Sequence, residues 1–391
     1  MKLAIIGVGT AGIQSLCHFL PHLDESWEVT SIHNPSKNIL GIGESSNPSF
    51  VDALERGLDF DLIKDLYKIN GTMKFGTKYT NWRLHEFVNP MISGTVSVHF
   101  DTHSLYKFSM DRLAGKWKDK FKIIKGNVDN LENNVNEVKI QIDGEEHIFD
   151  YAVDCRGTPK DFTGYEMIDP LLNACIVHNT DPDSTTELEH TGHIATKDGW
   201  MFRVPLQTRT SYGYLYNSNI TDDQKAKKNF SSIINVPLDQ MQDIMYKFNP
   251  YYTKNALKGR VLKNGNAMTF LEPMFANSIF IYENANRSFW DFIMGNLDES
   301  TVNNNMTRVI EQILALIGFH YLNGSSEHQT KFWSYAKKWG IRETEKSNIM
   351  EYNKTLLNLI SNNGAWGDSD GFIFPPHAFN ILSKNLGSNK L

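Results

Sequence analysis

Cysteine is nearly absent, with only Cys17, Cys155 and Cys175 in 391 residues, an odd number at wide spacing and without a CxxC pair. That excludes a disulfide framework and a thiolate zinc site, and fits buried thiols in a reducing compartment. Excess positive charge is also missing. Lys and Arg number 39 against 45 Asp and Glu, a net charge of −6, so no basic stripe is present to hold nucleic acid. No apolar run approaches the roughly 20 residues needed to span a bilayer, and no membrane partner is expected. The opening MKLAIIGVGTAG has no small-residue cleavage site after its apolar run, so no signal peptide is expected. The expectation is a soluble, cytoplasmic protein. His99 and His103 lie four apart, and His85, His178 and His193 are scattered. Neither HExxH nor facial-triad spacing occurs, and no metal is expected. GxSxG, internal repeats, linkers and low-complexity segments are absent too.

What the chain does contain is a globular composition, 40% hydrophobic and 12% aromatic, long enough for one large or two ordinary domains. Residues 2–6, KLAII, read as a short buried strand. They run into Gly7-Val8-Gly9-Thr10-Ala11-Gly12 and then into a segment of helical spacing. Strand, GxGxxG and helix in that order form a dinucleotide cradle. The first glycine makes the turn, the second admits a pyrophosphate, and the third lets helix and strand pack closely. A second strand is expected over Trp27–His33. Such strands usually end in an acid that holds the ribose hydroxyls, but this one ends in His33-Asn34.

Asn70–Trp82 reads NGTMKFGTKYTNW. Alternation places Thr72, Lys74, Gly76, Lys78 and Thr80 on one face, and Met73, Phe75, Thr77 and Tyr79 on the other. A half-buried strand with a polar outer face accounts for that pattern. The other reading of Lys74 is an amine placed for chemistry.

After the GxGxxG start, six further segments, in order, carry a resemblance. The GxGxxG start is followed by Gly41–Pro48 (GIGESSNP), similar to GVGEATIP. NGTMKFGTKYTNW is similar to GTxKLGIxFxNW. Val98–Asp101 with Leu105 and Phe108 is similar to YHFDA…F…FL, and Asp150–Gly157 (DYAVDCRG) to a strand ending in DCSG. Gly199–Leu206 (GWMFRVPL), with Arg209 and Gly213–Tyr216, is similar to GWxWxIPL…R…GYVYS. Gly265–Ile279 (GNAMTFLEPMFANSI) is similar to G(D/N)AAGFVEPLESTGI. Together they resemble the flavin-dependent halogenases, the tryptophan-halogenase family, from residue 2 to about residue 285.

The resemblance implies a mixed α/β fold. This comprises a Rossmann-like FAD-binding module of the flavin monooxygenase type with an interleaved substrate-side β-sheet (1–285), and a carboxy-terminal helical subdomain (286–391) covering the substrate pocket. It implies that FADH2, dioxygen and a halide yield hypohalous acid, which halogenates a small aromatic substrate, the protein supplying binding and electrostatics. A separate NAD(P)H flavin reductase supplies the FADH2. Lys74 falls on the catalytic lysine. Gly7, Gly9, Thr10, Ala11, Gly12, His33, Gly43, Glu44, Ser45, Asp154, Gly265 and Asn266 fall on flavin-binding positions. Asn277 and Ser278 fall on the halide site, while Trp200, Phe202 and Pro205 fall on the wall between flavin and substrate.

Departures from the family also carry information. Arg156 replaces a small residue, and Phe275 stands where tryptophan-acting members have a glutamate. That loss points to an electron-rich ring such as a phenol, which sheds its proton with less help. A flavin hydroxylase and a catalytically degenerate flavin-binding protein are the alternatives, and a homo-oligomer is left open. In the tail, helical patterns cover Val302–Phe319, Glu327–Lys338 and Ile349–Leu359, with Trp290, Trp333, Trp339 and Trp366 read mainly as core.

Overall fold

The computed structural model describes residues 1–346 apart from 38, 84, 183–186 and 326, together with 381, 382 and 384–386. Among these, the elements that frame the site are, in chain order, β1 (Lys2–Ile6), α1 (Thr10–His22), β2 (Glu28–His33), β3 (Thr72–Lys74), β4 (Gly76–Thr80), β5 (Phe87–Pro90) and β6 (Ser97–Phe100). Then follow α2 (Thr102–Lys116), β7 (Phe121–Lys125), β8 (Tyr151–Asp154), β9 (Ala174–Thr180), β10 (His190–Ala195), β11 (Gly199–Pro205) and β12 (Thr210–Tyr216). The last are α3 (Asp223–Ile234), β13 (Ile244–Lys247), β14 (Leu257–Lys258), β15 (Val261–Lys263), α4 (Asn277–Ile293), α5 (Glu299–Tyr321) and α6 (Lys331–Thr344).

The chain forms two compact units with interleaved segments. The first takes Met1–Thr72, Phe100–Ile168 and Tyr251–Arg308; the second takes Met73–His99, Asp169–Pro250 and the chain from Val309 on. The boundary expected at residue 285 falls inside α4. In the first unit a six-stranded sheet runs β14-β15-β8-β1-β2-β7, parallel from β15 to β7. This is the Rossmann-like α/β arrangement expected of a strand–GxGxxG–helix start. One face buries Ala4, Ile6, Ile32 and Ala152 against Val138, Ile140, Ile142 and Phe149 of a small antiparallel ribbon. Helix α1 buries Ile13, Leu16, Phe19 and Leu20 at i, i+3, i+6 and i+7 spacing, the stripe a packed helix needs. Phe19 meets Phe289 of α4 edge-on, 6.1 Å between centroids.

The second unit is built on a seven-stranded sheet, β13-β9-β12-β11-β10-β4-β5, antiparallel except where β10 pairs with β4. One face packs Ile176, Met201, Tyr214 and Tyr216 against Ala226 and Phe230 of α3. Helices α5 and α6 account for the first two helical patterns of the tail. Trp333 and Trp339 are buried there, their indole N–H groups donating to the carbonyls of Thr196 (2.7 Å) and Asp169 (2.8 Å), as core tryptophans do. The Ile349–Leu359 pattern and Trp366 lie outside the described residues. Among the described residues no helix is long and apolar enough to cross a membrane.

Candidate active site

Three backbone loops of the first unit converge at the carboxyl ends of β1, β8 and β15. Gly7 turns at φ +96°, its N–H donating to Ile32 O at 2.8 Å. A Cβ there would sit 2.6 Å from Cys155 O, and one on Gly12 would sit 1.9 Å from Gly7 O. Gly265 has φ +64°, and a Cβ on it would lie 2.8 Å from the Cβ of Ala11. Gly9 is different: nothing lies within 4 Å of the position its Cβ would take. Gly9 caps α1 without a side-chain hydrogen bond, and the first turn carries no acid. Its amides and the positive end of its dipole therefore suit an anion. The cradle fits a dinucleotide pyrophosphate. Its loops are tied by Asn264, which sequence reasoning missed. Asn264 is fully buried, its N–H donates to Asp154 O (2.9 Å), its Oδ1 accepts from Gly265 N (2.7 Å), and its Nδ2 donates to Asn286 Oδ1 (2.9 Å). The only trace in sequence is a polar residue directly before a glycine turn. Asn266 offers its carbonyl to the Tyr251 hydroxyl at 2.7 Å.

At the rim of the cradle, Asp154 is held in a fork by Arg156, with contacts of 2.9 and 2.8 Å. His33, buried at the end of β2, meets the Tyr106 hydroxyl through Nε2 at 3.1 Å. Burial, and then the charge of Lys125, lower its pKa. The segment around Gly43 and Glu44 lies against the start of α2: a Cβ on Gly41 would meet the His103 ring at 2.4 Å. Burial, then the nearby Asp101 carboxylate, push Glu44 up to about 7.

In the second unit, the strand expected over residues 72–80 is two strands broken at Phe75. The Phe75 N–H leaves the ladder for Glu189 O at 2.8 Å, and the face alternation inverts across the break. Lys74 therefore points inward, 3% exposed, while Phe75 turns out at 45%. Thr77 and Tyr79 are buried, whereas Lys78 pairs with Glu187 (3.2 Å) and Glu86 (3.3 Å). The shared face expected for Lys74 and Lys78 is thus corrected. Burial lowers the Lys74 pKa from 10.5 to about 7.

Beside Lys74, Ser97 Oγ of β6 donates to its carbonyl at 3.4 Å. His99 of β6 and His193 of β10 are both buried. Burial is the first cause holding each well below the usual imidazole range. The charges of Lys74, Arg203 and His190 add to it for His99, and those of His320 and Lys74 for His193. Trp200 is fully buried with its centroid 4.6 Å from the His193 ring. Phe202 lies over Gly213, where a Cβ would fall 2.0 Å from its ring, so the glycine makes the seat for the aromatic. Pro205 ends the same strand.

The Glu272–Ser278 loop belongs to the first unit. Phe275 and Ala276 both adopt left-handed backbone, φ +64° and +53°, a strained conformation outside glycine. Both amide donor contacts of Asn277 are made to carbonyls, Glu272 O at 2.7 Å and Met274 O at 2.9 Å. The Asn277 side chain is therefore engaged in holding the loop. Ser278 Oγ lies 3.4 Å from Asn277 Oδ1.

The first unit thus carries a Rossmann-like dinucleotide cradle, and the second a desolvated lysine. The sequence profile of the tryptophan halogenases matches residues 2–121 and 95–380, and the chain belongs to that family. It is similar to the tryptophan 7-halogenase of Lentzea aerocolonigenes, 21% identical across 72% of this chain and 68% of the relative. It is also similar to the tryptophan 6-halogenase of Streptomyces albogriseolus, 20% identical across 91% and 82%. The fold matches that of a tryptophan halogenase from Shewanella frigidimarina, with TM-score 0.82, 17% identity, and 99% of this chain and 88% of that one covered. A flavin-dependent halogenase from Brevundimonas sp. is similar at TM-score 0.79, 16% identity, and 99% and 90% coverage.

Proposed function

We propose that the protein uses FADH2, dioxygen and a halide to halogenate a small electron-rich aromatic compound, with Lys74 directing the halogen and a separate NAD(P)H flavin reductase supplying the reduced cofactor in the cytoplasm. The observation that carries this reading is Lys74 itself, almost wholly buried with its pKa brought down to about 7. Reduced flavin, when bound, supplies the oxidising equivalents that turn halide into hypohalous acid. Gly7, Gly9, Thr10, Ala11, Gly12, Asp154, Gly265 and Asn266 would hold it, with Gly43, Glu44, Ser45 and His33 at its margins. Asn277 and Ser278 shape the loop at which the halide is taken.

Lys74 in its ammonium form donates a hydrogen bond to the oxygen of hypohalous acid and makes it the better leaving group. Desolvation strengthens that bond. Trp200, Phe202 and Pro205 form an apolar wall that excludes water and keeps the ring from the cofactor. With Phe275 in place of a carboxylate, a ring that loses its proton readily is the fitting substrate.

The test supplies the protein with FAD, a flavin reductase, NADH, oxygen and bromide, and a panel of phenols and indoles. A bromine mass shift on a phenol is expected, at a rate falling as pH rises through about 7. Lys74→Ala should lower that rate by about 10²-fold or more with flavin affinity unchanged. A wild-type rate in Lys74→Ala overturns the role of the lysine, and an oxygen mass shift in its place overturns halogenation.

A further inference from the structure

Lys263 ends β15 at the carboxyl edge of the six-stranded sheet, within the first unit. Among the described residues its Nζ forms no ion pair and lies instead 4.4 Å over the centre of the Tyr165 ring. Asp154 stands in register beside it on β8, with Ile6 of β1 beyond. Register partners on neighbouring strands share a face, so the Lys263 ammonium and the Asp154 carboxylate emerge on the same side. That carboxylate is already engaged. Arg156 donates to it from Nε at 2.9 Å, from Nη2 at 2.8 Å and from its backbone N–H at 3.1 Å. Burial lowers the Lys263 pKa, the Asp154 charge opposes that, and Lys258 adds to it. Two cations thus flank one carboxylate, and the local charge is positive.

The cluster abuts the dinucleotide cradle on two sides. Cys155 O is 2.6 Å and Arg156 N is 3.5 Å from the position a Cβ on Gly7 would take, so the turn that carries Arg156 lies against the first glycine turn. On the other side, Tyr165 beneath the Lys263 ammonium donates its hydroxyl to Ala267 O at 2.5 Å. Ala267 belongs to the Gly265 loop that completes the cradle. We propose that Lys263, seconded by Arg156, is an anion seat of the cradle and takes a phosphate of the flavin dinucleotide. This rests on the reading that the cradle binds FAD. Arg156 departs from the resembled family at this turn, so the seat is a property of this chain.

The physical case is one of unmatched charge. A half-buried ammonium without a hydrogen-bond partner opposes folding, and its contact with an aromatic ring offsets only part of that cost. A phosphate oxygen supplies the missing partner through a charge-assisted hydrogen bond. The pyrophosphate is an anion, and the α1 amino terminus meets it with partial charge alone. A lysine adds a compact full charge and an arginine a planar fork of donors. Asp154 holds the guanidinium in place and cancels one of the two positive charges, which leaves the other for the ligand. The site lies outside the carboxyl ends of parallel strands, where open α/β sheets bind their ligands.

The experiment titrates FAD, ADP, riboflavin and inorganic phosphate into the full chain freed of flavin, followed by calorimetry and flavin fluorescence. Lys263→Met keeps a stem over Tyr165 and removes the charge. It should weaken FAD and ADP alike by about tenfold, leave riboflavin unchanged, and flatten the fall of FAD affinity with added KCl. Lys263→Arg should recover most of the loss, and Arg156→Gln should weaken FAD and ADP in the same direction as Lys263→Met. The melting temperature without flavin should not fall in Lys263→Met, because the variant removes a desolvated charge. Unchanged FAD affinity in Lys263→Met overturns the proposal. Equal losses for FAD and riboflavin overturn it too, marking a packing role. If inorganic phosphate binds the wild type but not Lys263→Met, while FAD binds both equally, the seat belongs to the free ion and the cofactor assignment falls. Gly9→Ala isolates the reading beneath. FAD weakened by Gly9→Ala but not by Lys263→Met leaves the cradle without the seat, whereas FAD bound equally by both variants and the wild type removes the cradle as well.

Discussion

Burying Lys74 costs the fold stability at neutral pH. Its pKa falls from 10.5 in the open chain to about 7 in the folded one. Below pH 7 both states carry the proton and the burial cost is fully present. Between 7 and 10.5 the unfolded chain binds a proton that the folded chain has lost, so stability rises with pH across that window. Lys74→Met should therefore stabilise the protein by roughly 4 kcal/mol at pH 7 and by well under 1 kcal/mol at pH 10.5. Urea unfolding at the two pH values measures both. Periodicity did not reveal this burial. The alternation of NGTMKFGTKYTNW is real within each strand, but a single residue, Phe75, leaves the ladder and inverts the faces. Tertiary pairing with Glu189 decides that break, and a pattern read along the chain contains no partner strand.

At the scale of elements, the order of motifs was legible while the backbone beneath two of them was not. Strands β1 and β2 and helix α1 stand where their patterns place them, because burial period and glycine chemistry are local properties. The LEPMFANSI loop hides strain, since nothing in Phe275-Ala276 announces two consecutive left-handed residues. Replacing Ala276 by Gly should add about 1 kcal/mol of stability by removing the Cβ penalty, read as a higher melting temperature. The gain is reduced by the extra freedom of the unfolded chain. At the wall, Gly213 is required by the Phe202 ring above it. Gly213→Ala should cost about 1–3 kcal/mol through overpacking. The cost should shrink in a Phe202→Leu background, so a double-mutant cycle by denaturant unfolding would return a coupling between the two sites.

On the scale of the whole molecule, two units are built from alternating chain segments, with the cradle in one and Lys74 in the other. No run of sequence marks that interleaving, because the chain passes between units without a linker of distinct composition. The cradle was legible, yet the three glycines of its motif do different jobs, and only the structure separates them. Gly7 and Gly12 are needed by the fold, since a side chain on either would enter backbone atoms. Gly9 is open on the side where its Cβ would lie, so a methyl group there meets no protein atom and would fill the space proposed for the pyrophosphate. Gly12→Ala should accordingly lower stability by about 1–3 kcal/mol and weaken FAD binding as a consequence. Gly9→Ala should leave the melting temperature of the free protein within a degree or so of wild type, since surface changes away from packed features move stability by less than about 0.5 kcal/mol, while weakening FAD by about tenfold or more, equivalent to roughly 1.4 kcal/mol. Quenching of flavin fluorescence on titration, set beside thermal melts without flavin, separates the two effects. Equal losses of stability in both variants would mean that Gly9, like Gly12, serves the fold and that the open side of the cradle is not where the pyrophosphate lies.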